Sequence, residues 1–454
     1  MPPKKLLSLF DLAMIVVSLV IGMGIFRTPV NVAKGAQIPE LFYLAWAAGG
    51  LIALCGALTY AEIGSRFPVT GGYYKIFSAF YHPSIAFAIN CIIVVSNAGS
   101  VAGVSIIGAE YLSKVILPAE LQTENYRILI AAITIGLFYL LNLLGLKVSS
   151  RAQNMLSIIK IGMVLTLICA VFAGPGAESP TAVFQTASAT PPGWFDYGKA
   201  LGVCLIGISF TFGGYQQTIN FGGEASNPKK VIPRAIITGL LIIISLYMAI
   251  NYAYVQVIGF EQLKSAESIA AILAGKLFGP AGFTLLSGLI YLSVLGYVNV
   301  NLLSNPRAMF AMGEEGALPA IFTRKHQKTD VMFVSLTVFA IIAVFTLFYA
   351  QTFDKILNYT IFLDCIGMAT SAATIFFLRK RTSAMDKSSI YSMSLYPLMP
   401  LIFIAAYTFV ALSIYHDDPQ SAINGLLIFA GFIVIYFINR FFNNRKNQDT
   451  RNQT

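Results

Sequence analysis

The sequence predicts an all-α membrane protein that crosses the bilayer twelve times, with its first and sixth spans broken at mid-depth. Three observations predict it. Of 454 residues, 57% are hydrophobic and 11% charged, with a mean hydropathy of +0.73; soluble domains carry about 25% charged residues. Apolar stretches of spanning length recur from end to end, and a hydrocarbon core about 30 Å thick needs about 20 apolar residues in helix. Two of the stretches carry glycines in their middle: Gly22 and Gly24 within Ile21–Phe26, and Gly213-Gly214 between Phe212 and Tyr215. Backbone left unpaired at that depth is costly unless it faces protein or a water-filled cavity. A break there marks a place where something binds; close helix packing is the other use of membrane glycines.

The spans follow in order, each bounded by charge. The first, 6–30, lies between Lys4-Lys5 and Lys34, and is too long and lacks the end of a cleaved signal. The second, 39–66, ends at Arg66; the third, 84–117, ends near Lys114. The fourth and fifth, 125–146 and 152–174, turn at Lys147 and Arg151. The sixth and seventh, 198–222 and 232–259, are joined by Lys229, Lys230 and Arg234. The eighth and ninth, 280–311 and 331–351, are joined by a loop holding Arg324, Lys325 and Lys328. The tenth, 354–378, ends at Arg379-Lys380-Arg381; the last two are 391–415 and 421–442. With the N-terminus inside, twenty-one Lys and Arg fall on the inner side and seven on the outer, while Arg27 and Lys160 stay in the membrane. The positive-inside rule accounts for that bias. The net charge of +10 therefore reports topology, with both termini cytoplasmic, and does not call for nucleic acid.

The connection 174–198 is rich in Gly, Pro, Ser, Thr and Ala and reads as a loop. It separates a first five-helix block, residues 1–174, from a second, 175–380. Five is odd, so the second block enters the membrane from the opposite side; an inverted repeat follows, each half opening on its broken helix. Residues 381–454 hold helices eleven and twelve and a polar tail, 443–454, expected to be disordered.

Enzyme chemistry finds no support. The cysteines Cys55, Cys91, Cys169, Cys204 and Cys365 lie in apolar segments at spacings suited to neither disulfide nor metal. The histidines His82, His326 and His416 lie in loops, so no intramembrane nucleophile has a histidine base. No cofactor is implied. Two interrupted helices in corresponding halves point instead to a secondary transporter.

A set of short motifs extends over about 300 residues. Ile21–Phe26 is followed by Thr28-Pro29; Gly56-Ala57-Leu58-Thr59-Tyr60-Ala61-Glu62-Ile63-Gly64 by Gly71-Gly72-Tyr73. Gly145, Lys147, Gln153 and Lys160 flank helix five; Phe210–Tyr215, Glu224, Asn227-Pro228 and Ile232-Pro233 flank helix six. Asn251, Ala253 and Tyr254 lie on helix seven, and Asn299, Arg307, Glu315-Gly316 and Leu318-Pro319 on and after helix eight. In this order and spacing the chain resembles the L-type amino-acid transporter branch of the amino acid–polyamine–organocation superfamily. The last two helices carry no comparable motif.

The resemblance implies the leucine-transporter fold and α-amino acids as substrates. A zwitterion at mid-membrane needs partners for both charges. The N–H groups and positive dipole end of the outer half-helix, near Gly24 and Ile25, can hold the carboxylate. The carbonyls of Val20 and Ile21, and those near Phe210, can hold the ammonium. Gly22, Gly213 and Gly214 give the backbone access, and Phe210, Thr211 and Phe212 are candidates for the side-chain pocket. Met23 stands where the family usually has a small or hydroxyl residue, so the carboxylate loses a side-chain donor there; Met23 either shrinks the pocket or turns into packing.

Lys160 lies nine residues past Arg151, about 13.5 Å along a helix and near the bilayer centre. Intramembrane lysines usually face a partner or a cavity. In the family the matching lysine puts its ammonium where sodium-coupled relatives hold sodium, with Ser304 as the hydroxyl beside it, which implies sodium-independent exchange of neutral L-amino acids. Asn305-Pro306 departs from the family pattern. The same lysine also permits proton-coupled uptake.

Arg27 sits just outside the first break, and Asp364 lies fifteen residues before Arg379, about 22 Å up helix ten. They are expected to form an outer gate; a solvated vestibule charge or selection of a cationic substrate by Asp364 are the alternatives. Tyr254 is either a gating tyrosine or an interfacial anchor. Glu62 and Glu224, near inner helix ends, suit loop contacts. Animal relatives attach a heavy chain through a cysteine between helices three and four; residues 117–126 contain none. A multi-pass protein of a bacterial inner membrane, working without a covalent partner, is expected. A channel is the reading of a different class, and the two half-helices argue against it.

Overall fold

Ser8 opens the first helix. Its hydroxyl accepts the amide of Asp11, and the Asp11 carboxylate accepts the amide of Ser8, a reciprocal cap. This is a computed structural model, and it describes residues 6–22, 24–173, 194–266, 269–386 and 389–451. Helix α1 (Leu9–Val20) gives way at Ile21-Gly22 to α2 (Gly24–Ala36), bent 44° from it. The long α3 (Pro39–Arg66) follows, starting at a proline whose missing N–H costs nothing there. A short α4 (Gly72–Phe80) leads into α5 (Pro83–Ile116), α6 (Glu124–Leu143) and α7 (Leu146–Ala173).

Next come α8 (Trp194–Phe212), a 3₁₀ segment Tyr215–Asn220, and α9 (Pro228–Ile258). Then follow α10 (Phe260–Ser265), α11 (Ile269–Glu314), α12 (Phe333–Leu347), α13 (Ala350–Arg381), α14 (Leu398–Asp417) and α15 (Pro419–Arg451). Ten of these segments are long and apolar enough to cross a membrane, the bent pair α1/α2 supplies another crossing, and the shorter apolar α12 lies where the ninth span was expected. The perimeter agrees: Leu140, Ile341, Leu412 and Leu427 are each more than 60% exposed, a pattern that suits lipid rather than water.

Three details depart from expectation. The inner half of the sixth span is not an α-helix; after Gly213-Gly214 the chain tightens into the 3₁₀ segment and a pair of turns. The eighth helix begins earlier, since α11 joins two helical stretches across Gly279. The tail expected to be disordered continues α15 to Arg451; residues 441–451 contain no Gly or Pro, so little opposes helix propagation. Of the loop expected over 174–198, residues 174–193 lie outside the described residues, and the rest is helical, since α8 already begins at Trp194.

The core is built where the broken helices meet α3, α7, α9 and α11. Trp46, Phe212 and Tyr247 form a buried aromatic cluster, with ring centroids 5.1 to 6.1 Å apart. Edge-on contacts of this kind add to the area they bury. The cluster places Tyr247 beside both breaks.

Candidate functional site

Gly214 fixes the relation between the breaks. Its φ is +111°, and a Cβ there would lie 2.6 Å from the carbonyl oxygen of Leu19 on α1. Only glycine suits that conformation and that approach. On the outer side, Gly24 lets α2 close on α8: a Cβ would sit 3.0 Å from Thr211 Oγ1. The Thr211 hydroxyl lies 2.8 Å from both Thr28 Oγ1 and the Gly207 carbonyl. Gly22, Gly24, Gly213 and Gly214 nevertheless stay partly exposed in mid-chain, so space reaches the unwound backbone.

The carbonyls of the inner half-helix are already engaged. Val20 O accepts the Tyr247 hydroxyl at 3.1 Å, and that hydroxyl also lies 3.5 Å from Thr211 O. Ile21 O accepts the Lys160 ammonium at 2.5 Å. Any ammonium that uses Val20 or Ile21 shares them with these two donors. Each carbonyl has two lone pairs, so sharing is possible. Tyr247 was missed in the sequence. Its signal was one helical turn, four positions, upstream of the matched Asn251, hidden among the aromatics of an apolar helix.

Lys160 ends a polar ladder. Ser149, Gln153, Ser157 and Lys160 recur at helical spacing on one face of α7 and all are buried. Asn142 of α6 donates to Asn299 Oδ1, and Asn299 donates to Gln153 Oε1, each at 2.8 Å. Ser157 in turn donates to the Met14 carbonyl at 3.0 Å and lies 2.8 Å from Ser18 Oγ. The ladder ties α6, α11 and α7 to α1. A buried polar network holds when each member finds a partner.

Ser304 is not beside Lys160. It donates to Gln217 and accepts from Asn220 of the 3₁₀ segment, both at 3.3 Å. On α11 it is Gly296 that packs by the ammonium, its Cβ position lying 3.6 Å from Lys160 Nζ. Eight residues separate Gly296 from Ser304, about 12 Å along a helix, which is why one group cannot serve both places.

Of the three pocket candidates, only Phe210 stands open, at 44% exposure; Thr211 and Phe212 are buried in helix packing. Ile25 is buried as well, and Met23 lies outside the described residues. Opposite the first break, Tyr297 packs 3.2 Å from the Cβ position of Gly22, with its hydroxyl toward Ser100 and Asn301. Asn301 and Asn97 each bond Asn305, so α5 and α11 present a neutral polar wall.

Arg27 and Asp364 do not form an ion pair among the described residues. Arg27 is exposed, whereas Asp364 faces an apolar cavity of about 200 Å³ with Phe77, Ile89 and Leu426. Tyr254 is fully buried, which removes the interfacial-anchor role. Glu62 and Glu224 are ion-paired. Glu62 meets Arg66 and Arg379 at 2.6 and 2.7 Å, and Glu224 meets Arg307 at 3.1 Å.

Residues 7–438 match the family model described as "Amino acid permease". The chain belongs to that family. Its relatives place the permease in the L-type amino-acid transporter branch of the amino acid–polyamine–organocation superfamily. The permease is 29% identical over 444 residues to the serine/threonine exchanger SteT of Bacillus subtilis (strain 168), covering 96% of each chain. It is 24% identical over 441 residues to the human large neutral amino acids transporter small subunit 2, covering 96% of this chain and 80% of that one. It is 25% identical over 448 residues to the human cystine/glutamate transporter, covering 95% and 85%. This permease is thus a multi-pass membrane protein of a transporter family.

Proposed function

We propose that this permease is a sodium-independent exchanger of neutral L-amino acids that works by alternating access. One observation carries the reading: a fully buried lysine ammonium rests on a free carbonyl of the broken first span, a fixed cation where a coupling ion would otherwise be needed. The substrate carboxylate meets the first turn of α2 at Gly24 and Ile25, and the ammonium meets the carbonyls of Val20, Ile21 and Phe210. Phe210 closes over the bound molecule. The wall of Tyr297, Asn301 and Asn305 carries no net charge, which supports a neutral side chain. The names of relatives, a serine/threonine exchanger and a cystine/glutamate transporter, support amino-acid exchange.

The remaining parts of the proposal follow the same logic. Residues 1–174 and 175–380 form two inverted five-helix repeats, with 381–454 outside them. The basic ends of the spans put both termini in the cytoplasm, in an inner membrane. The connection between α5 and α6 contains no cysteine, so no covalent heavy chain is expected. The test is exchange in proteoliposomes. Efflux of preloaded serine should rise at least tenfold when neutral amino acid is added outside, and should not change when sodium is replaced by choline. Efflux that ignores external amino acid overturns the reading.

A second reading, proton-coupled uptake, rests on Asp364, whose carboxylate makes no ion pair among the described residues. Accumulation driven by an inward pH gradient, and lost in Asp364→Asn, would favour it. Transport by Asp364→Asn at the normal rate, with unchanged substrate preference and an unchanged response to the pH gradient, excludes both the coupling role and a gate with Arg27.

A further inference from the structure

At the end of the bundle that holds the N-terminus, away from the helix breaks, lies a cavity of about 290 Å³. It is bounded by the α6–α7 corner, the last turns of α11 and the segment 325–332. Lys147, Arg307, Lys325 and Lys328 contribute four positive charges to its lining, against the carboxylates of Glu224 and Asp330. Two of the cations are engaged. Arg307 Nε lies 3.1 Å from both Glu224 oxygens and its guanidinium stacks 4.3 Å over Phe221. Lys325 Nζ lies 3.9 Å from Asp330. Lys147 and Lys328 are exposed and form no ion pair among the described residues.

Apart from Asn142 and Thr329, the rest of the lining is apolar, with Leu144, Leu146, Met332 and Leu336 among it. Leu144 is 63% exposed, and from it the exposed Leu140, Leu137 and Ile133 run up α6. A cationic chamber thus opens onto the apolar perimeter at the level where the spans end. A soluble anion would find its charge there but would leave the apolar track bare.

We propose that this cavity binds the headgroup of an anionic phospholipid from the surrounding leaflet. Basic pockets between spans at the membrane surface suit such headgroups, and the volume admits a headgroup rather than a whole lipid. The acyl chains lie along the exposed face of α6. The site is coupled to the helix break through Glu224. Its carboxylate pairs with Arg307, while its backbone carbonyl accepts the amides of Leu6 and Leu7 at 2.9 and 3.0 Å, just ahead of α1. A phosphate that draws on Arg307 therefore acts on the anchor of the inner half-helix.

The test is a binding measurement, independent of transport. The permease is placed in phosphatidylcholine nanodiscs containing a minor share of phosphatidylglycerol, and retained lipid is read by native mass spectrometry. Wild type should retain phosphatidylglycerol. The double variant Lys147→Gln/Lys328→Gln should bind it about thirty-fold more weakly, since surface cations contribute about 1 kcal/mol each and 1.4 kcal/mol is tenfold. Lys380→Gln, on another exposed surface at this end, should bind as wild type does. Equal retention by the double variant, or equal loss in Lys380→Gln, overturns the proposal. Displacement of the lipid by inorganic phosphate at moderate concentration would assign the cavity to a soluble anion and overturn it too.

Discussion

The ammonium of Lys160 lies 2.5 Å from the carbonyl oxygen of Ile21, across the gap between α7 and the end of α1. The contact joins a fully buried charge to the residue at which the first span comes apart. It also closes the ladder that begins at Asn142, so displacement of the unwound segment is felt by α6, α7 and α11 together. In a membrane interior, the loss of one such bond leaves backbone without a substitute from water.

Lys160→Met keeps the length and removes the charge. A hydrogen bond to a charged group contributes about 1.5–3 kcal/mol, so exchange should fall about ten- to a hundredfold, and sodium should not restore it. Counterflow of labelled amino acid in proteoliposomes, normalised to folded protein, reads the effect. A variant within twofold of wild type would show that the charge is idle.

Tyr247→Phe deletes one oxygen and leaves the aromatic cluster with Trp46 and Phe212 in place. The lost hydroxyl spans the carbonyls of Val20 and Thr211, one from each broken helix. A neutral bond contributes about 0.5–1.5 kcal/mol, so the half-saturating substrate concentration should rise about three- to tenfold. Detergent stability should change little. A large loss of stability with unchanged affinity would make Tyr247 a packing residue only.

Gly214→Ala and Gly213→Ala form a matched pair. At Gly214 the backbone is left-handed and the new methyl meets Leu19 O at 2.6 Å; at Gly213 the nearest atom is Phe210 O at 3.3 Å. Strain of the first kind costs about 1–3 kcal/mol before the clash is counted. Gly214→Ala should abolish transport or surface expression, and Gly213→Ala should keep at least a third of the wild-type rate. Equal tolerance at both positions would place the break elsewhere.

The spans, the two breaks and the buried lysine were legible because each follows from one strong rule: apolar length, glycine at mid-depth, a charge far from either surface. What was not legible depended on phase and rotation. Ser304 and Gly296 lie on the same helix, and spacing alone does not say which turn meets α7. Arg27 and Asp364 are both charges in apolar segments, yet their side chains lie in different surroundings, which helix rotation decides. Tyr247 is one aromatic residue among many in an apolar run; its role appears only when two carbonyls are found beside its hydroxyl. The 3₁₀ form of the inner sixth span was hidden for a similar reason, since residues 215–220 contain neither Gly nor Pro.

Glu62 gives the sharpest stability prediction. It is fully buried and accepts four hydrogen bonds: one from Arg66 Nε at 2.6 Å, two from Arg379 at 2.7 Å, and one from the Met393 amide at 2.9 Å. Arg379 also stacks 3.6 Å over Tyr396. One carboxylate thus gathers α3, the end of α13 and the segment before α14. Glu62→Gln keeps the volume, removes the negative charge and leaves two guanidinium groups facing each other. Breaking a buried ion pair from one side costs about 3–5 kcal/mol, and Arg379 is partly exposed, so the low end applies. The melting temperature in detergent should fall by several degrees. Arg379→Gln should cost less, because Arg66 still compensates the carboxylate, and Glu62→Gln/Arg379→Gln should be more stable than Glu62→Gln alone. If the double variant is the less stable, repulsion between the arginines is not what Glu62 prevents, and its role reduces to the bond with the Met393 amide.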